Sequence, residues 1–129
     1  MFVAIVDDHA GLREAIAALL DASGYPSRGF ESAEEFMRSH ETREAACLVL
    51  DERLPGIPGL ELQRRLAAAG RPLPIVFISA HEDRDPEVPA RALQEGAVAF
   101  FRKPFGEDEF LGAVARAWRQ GTPDIPRYR

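Results

Sequence analysis

The chain has 129 residues, which is the size of one domain and too short for two. Hydrophobic residues make up 46% and charged residues 29%, a balance that excludes a disordered, collagen-like or disulfide-rich chain. The formal net charge of −5 disfavours direct binding to nucleic acid. With one cysteine, Cys47, no signal peptide and no apolar run of membrane length, we expect a cytoplasmic protein that does not bind membranes.

Short apolar runs alternate with longer amphipathic stretches along the whole chain. The runs have the length and residue types of β-strands, and the second of them is the weakest. The five predicted strands cover residues 2–6, 26–30, 46–50, 75–78 and 98–101.

A helical pattern follows each predicted strand. Apolar residues at helical spacing mark the first, third and fifth helices, at Leu12, Ile16, Leu19 and Leu20, at Leu60, Leu62 and Leu66, and at Phe110, Val114 and Trp118. The segment from Ser32 to Glu35 has the form of a capping box and opens a short second helix. The fourth helix is predicted to begin at 85 or 88 and to end at 95, because Pro86 and Pro89 are tolerated only in a first helical turn.

Five strand–helix units predict a parallel sheet, because parallel strands need crossover connections. Continuous apolar strands indicate a sheet that is covered on both faces. The predicted fold class is therefore α/β, a flavodoxin-like (βα)5 doubly wound parallel sheet with strand order 2-1-3-4-5. The pattern fades after residue 120, so residues 1–120 are expected to form the domain and 121–129 a tail or the start of a linker.

Polar residues stand where the predicted strands end. Asp7 and Asp8 follow the first strand and Asp51 follows the third, while Ser79 and Lys103 follow the fourth and fifth. Ligands of open α/β sheets bind beyond the carboxyl ends of the strands, at the point where the strand order reverses. The sequence therefore predicts that these five side chains converge in one shallow cleft.

Three carboxylates beside one lysine leave about two negative charges uncompensated. Carboxylate and backbone carbonyl oxygens suit a hard divalent cation, which predicts Mg²⁺, with Mn²⁺ as a substitute, at Asp7, Asp8 and Asp51. Such a cation beside Lys103 is suited to hold a phosphoryl group. Asp51 stands alone on the central strand opposite the acidic pair, so it is the candidate nucleophile for an acyl phosphate.

These motifs, in this order, resemble the receiver domain of two-component response regulators in bacteria. The resemblance covers about residues 2 to 120, is most similar to the FixJ/NtrC type, and rests on the Asp7-Asp8 pair, Asp51 with Leu54-Pro55 and Gly59, Ser79-Ala80, and the segment 97–105 around Lys103. It implies that Asp51 accepts a phosphoryl group from a histidine kinase or a histidine phosphotransfer protein. The metal ligands would be Asp7, Asp8, Asp51 and the backbone carbonyl of Arg53.

The resemblance also implies a switch. Lys103 and Ser79 would bond the phosphoryl oxygens, and Ser79 and Phe100 would move to change the face formed by the fourth helix, fifth strand and fifth helix. This face is also where a homodimer is expected. Such a domain catalyses only its own phosphorylation and dephosphorylation, and it controls a partner or an effector domain, as in transcription regulation. Arg53 and His81 lie where this family sets the lifetime of the acyl phosphate.

Other interpretations remain beside this one. A pseudo-receiver would keep the fold as an interaction module without phosphorylation, although the intact set of site residues argues against it. Asp7 and Asp8 could also serve as caps of the first helix. A phosphatase with an aspartyl nucleophile needs an Asp-x-Asp motif and a cap domain, and a flavodoxin needs a Ser/Thr-rich phosphate loop. This chain has neither arrangement.

Overall fold

The computed structural model of the chain describes residues 1–80 and 85–122. Five strands alternate with five α-helices in the order β1 (Phe2–Val6), α1 (Ala10–Ala22), β2 (Ser27–Phe30), α2 (Ala33–Arg38), β3 (Ala45–Asp51), α3 (Gly59–Ala68), β4 (Ile75–Ser79), α4 (Glu87–Gln94), β5 (Ala99–Arg102) and α5 (Glu107–Gly121). A short 3₁₀ helix, His40–Glu44, connects α2 to β3.

The strands form one sheet in the order β2-β1-β3-β4-β5, and all of their pairings within the described residues are parallel. This arrangement confirms the predicted fold class. The register aligns Val6 with Leu50, Asp51 with Ile78, and Ser79 with Arg102. The residues at or just beyond these pairs, including Asp7, therefore lie along one edge of the sheet.

Apolar side chains from both faces of the sheet are buried, as the continuous apolar strands predict. One face packs against α2, α3 and α4, which contribute the buried side chains of Phe36, Leu62 and Ala92. The other face packs against α1 and α5, which contribute Leu20 and Phe110. Two layers of helices thus cover the faces of the sheet, and the carboxyl edge of the strands lies between them.

The observed elements differ from the predicted ones mainly at their ends. Helix α4 begins at Glu87, between the two predicted starts, with Pro86 as its N-cap residue. Pro89 then falls in the first turn, where backbone N–H groups have no partner within a helix. The 3₁₀ helix was not predicted, and α5 runs to Gly121, one residue past the expected domain end. Most of the predicted tail, 123–129, lies outside the described residues.

Across residues 1–80 and 85–122, no helix combines the length and the apolar character needed to cross a membrane.

Candidate functional site

Three carboxylates meet at the carboxyl edge of the sheet. Each of Asp7, Asp8 and Asp51 offers one oxygen atom, and these atoms lie within 4.8 Å of one another. Asp7 is fully buried, the Asp51 residue is 7% exposed, and Asp8 is exposed. The register of β1 and β3 produces this arrangement, because Val6 and Leu50 are partners and an aspartate follows each of them. The predicted convergence of the acidic residues is therefore observed.

Asp7 is held by backbone contacts on several sides. Its Oδ1 accepts the N–H of His9 at 2.7 Å, its own N–H donates to Phe30, and its carbonyl accepts Arg13 Nη1 at 2.7 Å. His9 is the N-cap residue of α1, so one oxygen of Asp7 organises the entry to that helix. The other oxygen, Oδ2, is buried and has no hydrogen-bond partner among the described residues.

Burial governs the charge state of the two inner carboxyl groups. Burial raises the pKa of Asp51 to about 6, the negative charge of Asp7 acts in the same direction, and the Arg53 N–H and the Lys103 ammonium oppose it. Burial also raises the pKa of Asp7, against the His9 N–H and Lys103. The cleft therefore does not fully compensate the negative charge of either aspartate in its ionised form.

The fourth and fifth strands bring the remaining two predicted residues to the same edge. Ser79 is 1% exposed at the end of β4, and its carbonyl accepts the Lys103 N–H at 3.0 Å. The Lys103 side chain is half-buried, and its ammonium lowers the pKa of both Asp7 and Asp51. The charge of Lys103 therefore acts on both inner carboxylates.

Phe100 and Phe101 point to opposite faces of the sheet. Phe100 is half-buried and stacks on Phe77, with ring centroids 5.7 Å apart, in the layer that includes α4. Phe101 packs near Phe105 and Phe110 in the other layer. The aromatic residue named for the switch is thus the one on the α4 side.

The loop after β3 sets the surroundings of Asp51. Arg53 is exposed and its N–H donates to Asp51 Oδ1 at 3.1 Å. The side chain of Glu52 is directed toward α3, where its Oε2 accepts the Leu60 N–H of the first turn at 3.5 Å. A carboxylate is stabilised at a helix N-terminus. His81 lies outside the described residues, so its predicted place beside Arg53 stays a prediction.

Two contacts at the site have no counterpart in the sequence predictions. Arg13 bonds the carbonyl of Asp7, and Glu34 on α2 accepts the Ile57 N–H of the loop after Asp51 at 3.2 Å. The helix dipole disfavours a cation in the first turns of a helix. The position of Arg13 near the start of α1 therefore indicates that a contact outside the helix stabilises its charge. Glu34 and Ile57 are 23 residues apart, and the sequence holds no comparable signal for that contact.

The donor set fits a hard divalent cation. Three carboxylates supply oxygen ligands, and Asp7 Oδ2 is a buried acceptor without a hydrogen-bond partner in the described part of the chain. Such an oxygen is costly to bury unless it binds a cation or a donor. The cluster can therefore hold a metal ion that prefers oxygen.

Known proteins resemble this chain in both sequence and fold. A family model described as the response regulator receiver domain matches residues 3–115. The response regulator protein TmoT of Ectopseudomonas mendocina is 41% identical over 113 residues, which are 88% of this chain and 50% of that protein. The response regulator protein TodT of Pseudomonas putida is 40% identical over 126 residues, which are 95% of this chain and 55% of that protein.

A solved structure extends the likeness to three dimensions. The crystal structure of FixJ-N superposes with a TM-score of 0.82 and 31% identity, covering 95% of this chain and 96% of that one. The chain belongs to the response regulator receiver domain family, as its motifs predict. It spans about half the length of the curated relatives it matches first.

Proposed function

We propose that this domain accepts a phosphoryl group from a phosphohistidine onto Asp51 and thereby switches its conformation to control a partner or an effector domain. The observation that carries the proposal is the convergence of the Asp7 and Asp8 carboxylates on Asp51, beside the charge of Lys103. Membership of the receiver family supports it. Its donor would be a sensor histidine kinase or a histidine phosphotransfer protein, in the cytoplasm of a bacterium.

Asp7, Asp8, Asp51 and the Arg53 carbonyl would hold Mg²⁺, for which Mn²⁺ could substitute. When bound, the cation supplies positive charge that stabilises the phosphoryl oxygens and favours ionised carboxylates. The buried Asp7 Oδ2, which has no hydrogen-bond partner among the described residues, supports this assignment. So does the burial of Asp51, which leaves its charge poorly solvated without a cation.

The transfer exchanges one bond to phosphorus for another. An oxygen of the ionised Asp51 attacks the phosphorus, the phosphorus–nitrogen bond to the donor histidine breaks, and its electron pair stays on the imidazole. The Arg53 N–H orients the Asp51 carboxylate through Oδ1. Lys103 stabilises charge that builds on the phosphoryl oxygens.

Movements of Ser79 and Phe100 would then transmit the effect of phosphorylation from the site to the surface of the domain. The Ser79 hydroxyl would bond a phosphoryl oxygen, and Phe100, stacked on Phe77, would fill the space that this movement leaves. The affected surface is that of α4, β5 and α5. This two-state change is biased by one added charge.

The test is covalent labelling at Asp51. We expect intact mass spectrometry to show one added phosphoryl group after incubation with phosphoramidate and Mg²⁺, and Asp51→Asn to abolish it. Asp8→Asn should label only at much higher Mg²⁺, because it removes one ligand charge. Equal labelling of Asp51→Asn would refute the assignment, and a metal-binding wild type that is never labelled would favour the pseudo-receiver interpretation.

A further inference from the structure

Helix α2 reaches across to the loop that follows the candidate phosphoacceptor. We call residues 52–58, between β3 and α3, the acceptor loop. Glu34 lies in the first turn of α2, and its Oε2 accepts the Ile57 N–H of this loop at 3.2 Å. A carboxylate that accepts a backbone N–H forms a charge-assisted hydrogen bond, which is stronger than a neutral one. One side chain thus joins two elements that are separate in sequence.

The α2 end of this contact is firmly placed. Ser32 caps the helix by accepting the Glu35 N–H at 3.0 Å, and Glu35 Oε1 accepts the Glu31 N–H at 3.2 Å. Phe36 is fully buried and packs edge-on against Phe30. The first turn of α2, from which Glu34 projects, is therefore held by its cap and by core packing.

The loop end of the contact is shaped to receive the carboxylate. Gly56 has a φ of +79°, a backbone conformation that favours glycine. A Cβ atom at Gly56 would also lie 2.3 Å from Glu34 Oε2, so any side chain there would displace the carboxylate. Glu34 Oε1 is buried and has no hydrogen-bond partner among residues 1–80 and 85–122. Burying a carboxylate oxygen without a hydrogen-bond partner costs free energy, so the placement of Glu34 requires an explanation.

The same loop carries the groups that face the acidic cluster. Its first residues are tied to the sheet side, where the Arg53 N–H donates to Asp51 and the Gly59 N–H donates to the Glu52 carbonyl. Leu54 anchors it in the core. Glu34 adds a hydrogen bond to Ile57, near the α3 end of the loop, from a different layer of the fold.

We propose that Glu34 is a positioning residue for the phosphoryl-transfer site. Its carboxylate holds the acceptor loop at Ile57, so that the Arg53 carbonyl and the Asp51 carboxylate keep the spacing that a bound cation needs. Glu34 touches neither the acidic cluster nor the phosphoryl group and acts through the loop. The inference rests on the proposed function at Asp51.

Three variants separate positioning from simple helix stability. Glu34→Ala removes the acceptor, and Glu34→Gln keeps an oxygen that can accept the Ile57 N–H. Glu35→Ala is the matched control, because it is the neighbouring acid of the same turn and bonds Glu31 rather than the loop. Each variant is measured for Mg²⁺ affinity by calorimetry, for hydrogen exchange of the Ile57 amide by NMR, and for free energy of unfolding in urea.

Glu34→Ala should weaken Mg²⁺ affinity about tenfold, the lower end of what loss of a supporting contact costs a metal site. It should also speed exchange of the Ile57 amide. Glu34→Gln should stay within about twofold of the wild type in affinity, because the hydrogen bond is kept. Glu35→Ala should lower stability and leave both other measurements unchanged. Unchanged Mg²⁺ affinity in Glu34→Ala, or equal weakening in Glu35→Ala, would overturn the proposal.

A double-mutant cycle with Gly56→Ala tests the contact itself. The substitution introduces backbone strain that does not depend on Glu34, and a clash with the carboxylate that does. Gly56→Ala should therefore destabilise the wild type more than it destabilises Glu34→Ala. Equal destabilisation in the two backgrounds would show that Glu34 does not occupy the space beside Gly56.

These measurements need no phosphoryl donor. If the wild type binds Mg²⁺ but is never labelled at Asp51, the proposed function fails while the effect of Glu34 on the metal site is still read directly. If labelling occurs and the Glu34 variants bind Mg²⁺ normally, the positioning role fails alone.

Discussion

At the scale of single residues, the buried pair Asp7 and Asp51 makes the domain less stable when both are ionised. Burial raises the pKa of each, the negative charge of Asp7 raises the pKa of Asp51 further, and the negative charge of Asp8 raises both. A folded-state pKa above the unfolded value means that the folded protein binds protons more tightly than the unfolded chain. The contribution of these groups to stability is then present at low pH and is lost as the pH rises through the folded pKa.

This gives a pH dependence that can be measured. Without divalent cations, the contribution of Asp51 to the free energy of unfolding should fall between pH ~4, near the unfolded pKa, and pH about 6. Asp51→Asn should remove that part of the slope and stabilise the protein by about 1–3 kcal/mol at neutral pH. Urea unfolding in EDTA across this pH range measures both effects, and a variant less stable than the wild type at neutral pH would contradict them.

Magnesium should act on the same groups in the opposite direction. A cation that binds the folded state alone stabilises it in proportion to the logarithm of its concentration over Kd. The stabilisation should grow as the pH rises, because ionised carboxylates bind the cation. Asp8→Asn should weaken the response, and a thermal unfolding temperature that ignores Mg²⁺ would contradict the metal assignment.

Arg53 and His81 provide a prediction about the lifetime of the acyl phosphate. From the resemblance to this family, we expect the side chains at these positions to border the face from which water would attack the phosphorus. Both can donate hydrogen bonds to a phosphoryl oxygen, and Arg53 is a permanent cation. We expect them to screen the water, so Arg53→Ala and His81→Ala should each speed phosphoryl decay. If His81 instead acts as a base, His81→Ala should slow decay and abolish its pH dependence near pH ~6.5.

At the scale of elements, helix α3 is packed unusually closely against the strand that carries Asp51. A Cβ atom at Gly59, the first residue of α3, would lie 2.8 Å from the Asp51 carbonyl and 2.9 Å from the Glu52 Cα. Both are backbone atoms, which cannot rotate away. The helix and the strand can keep this spacing only with glycine at that position.

Gly59→Ala should therefore push α3 and the Asp51 backbone apart. We expect a loss of about 1–3 kcal/mol in the free energy of unfolding, as for overpacking in a core, together with weaker Mg²⁺ binding. Gly112→Ala is the matched control, because a Cβ atom at this α5 residue meets nothing within 4 Å and the helix is kept. Urea unfolding and calorimetry measure the two effects, and equal behaviour of the two variants would contradict the close-packing argument.

The sequence predicted the elements that have strong local signals and missed those that depend on distant partners. All five strands and the strand order follow from apolar runs and crossover geometry. The 3₁₀ helix His40–Glu44 consists of five polar residues without an apolar period, so the local sequence contains no pattern that predicts a helix there. The five residues predicted to meet at the cleft could be named because each stands at or just after the end of a strand. Glu34 instead reaches the acceptor loop from another layer, and such tertiary contacts leave no sequence pattern.

At the scale of the whole molecule, the candidate site and the α4–β5–α5 face lie on connected parts of one sheet. Ser79 ends β4, Lys103 follows β5, and Phe100 of β5 stacks on Phe77 of β4 in the layer of α4. Under the proposed function, a change at the carboxyl edge would reach the α4–β5–α5 face through these two adjacent strands. This face includes an edge strand, since β5 ends the sheet.

We expect phosphorylation to favour a homodimer through the α4–β5–α5 face. Leu93 on α4 is 48% exposed, and an exposed large apolar side chain beside an edge strand suits an interface between copies. Sedimentation velocity with Mg²⁺ and phosphoramidate should show the wild type shifting toward a dimer, while Leu93→Asp remains monomeric. Met37→Asp is the matched control, because Met37 is an exposed apolar residue, at 36%, on α2. The interface is wrong if labelled wild type stays monomeric, or if Leu93→Asp associates as readily as Met37→Asp.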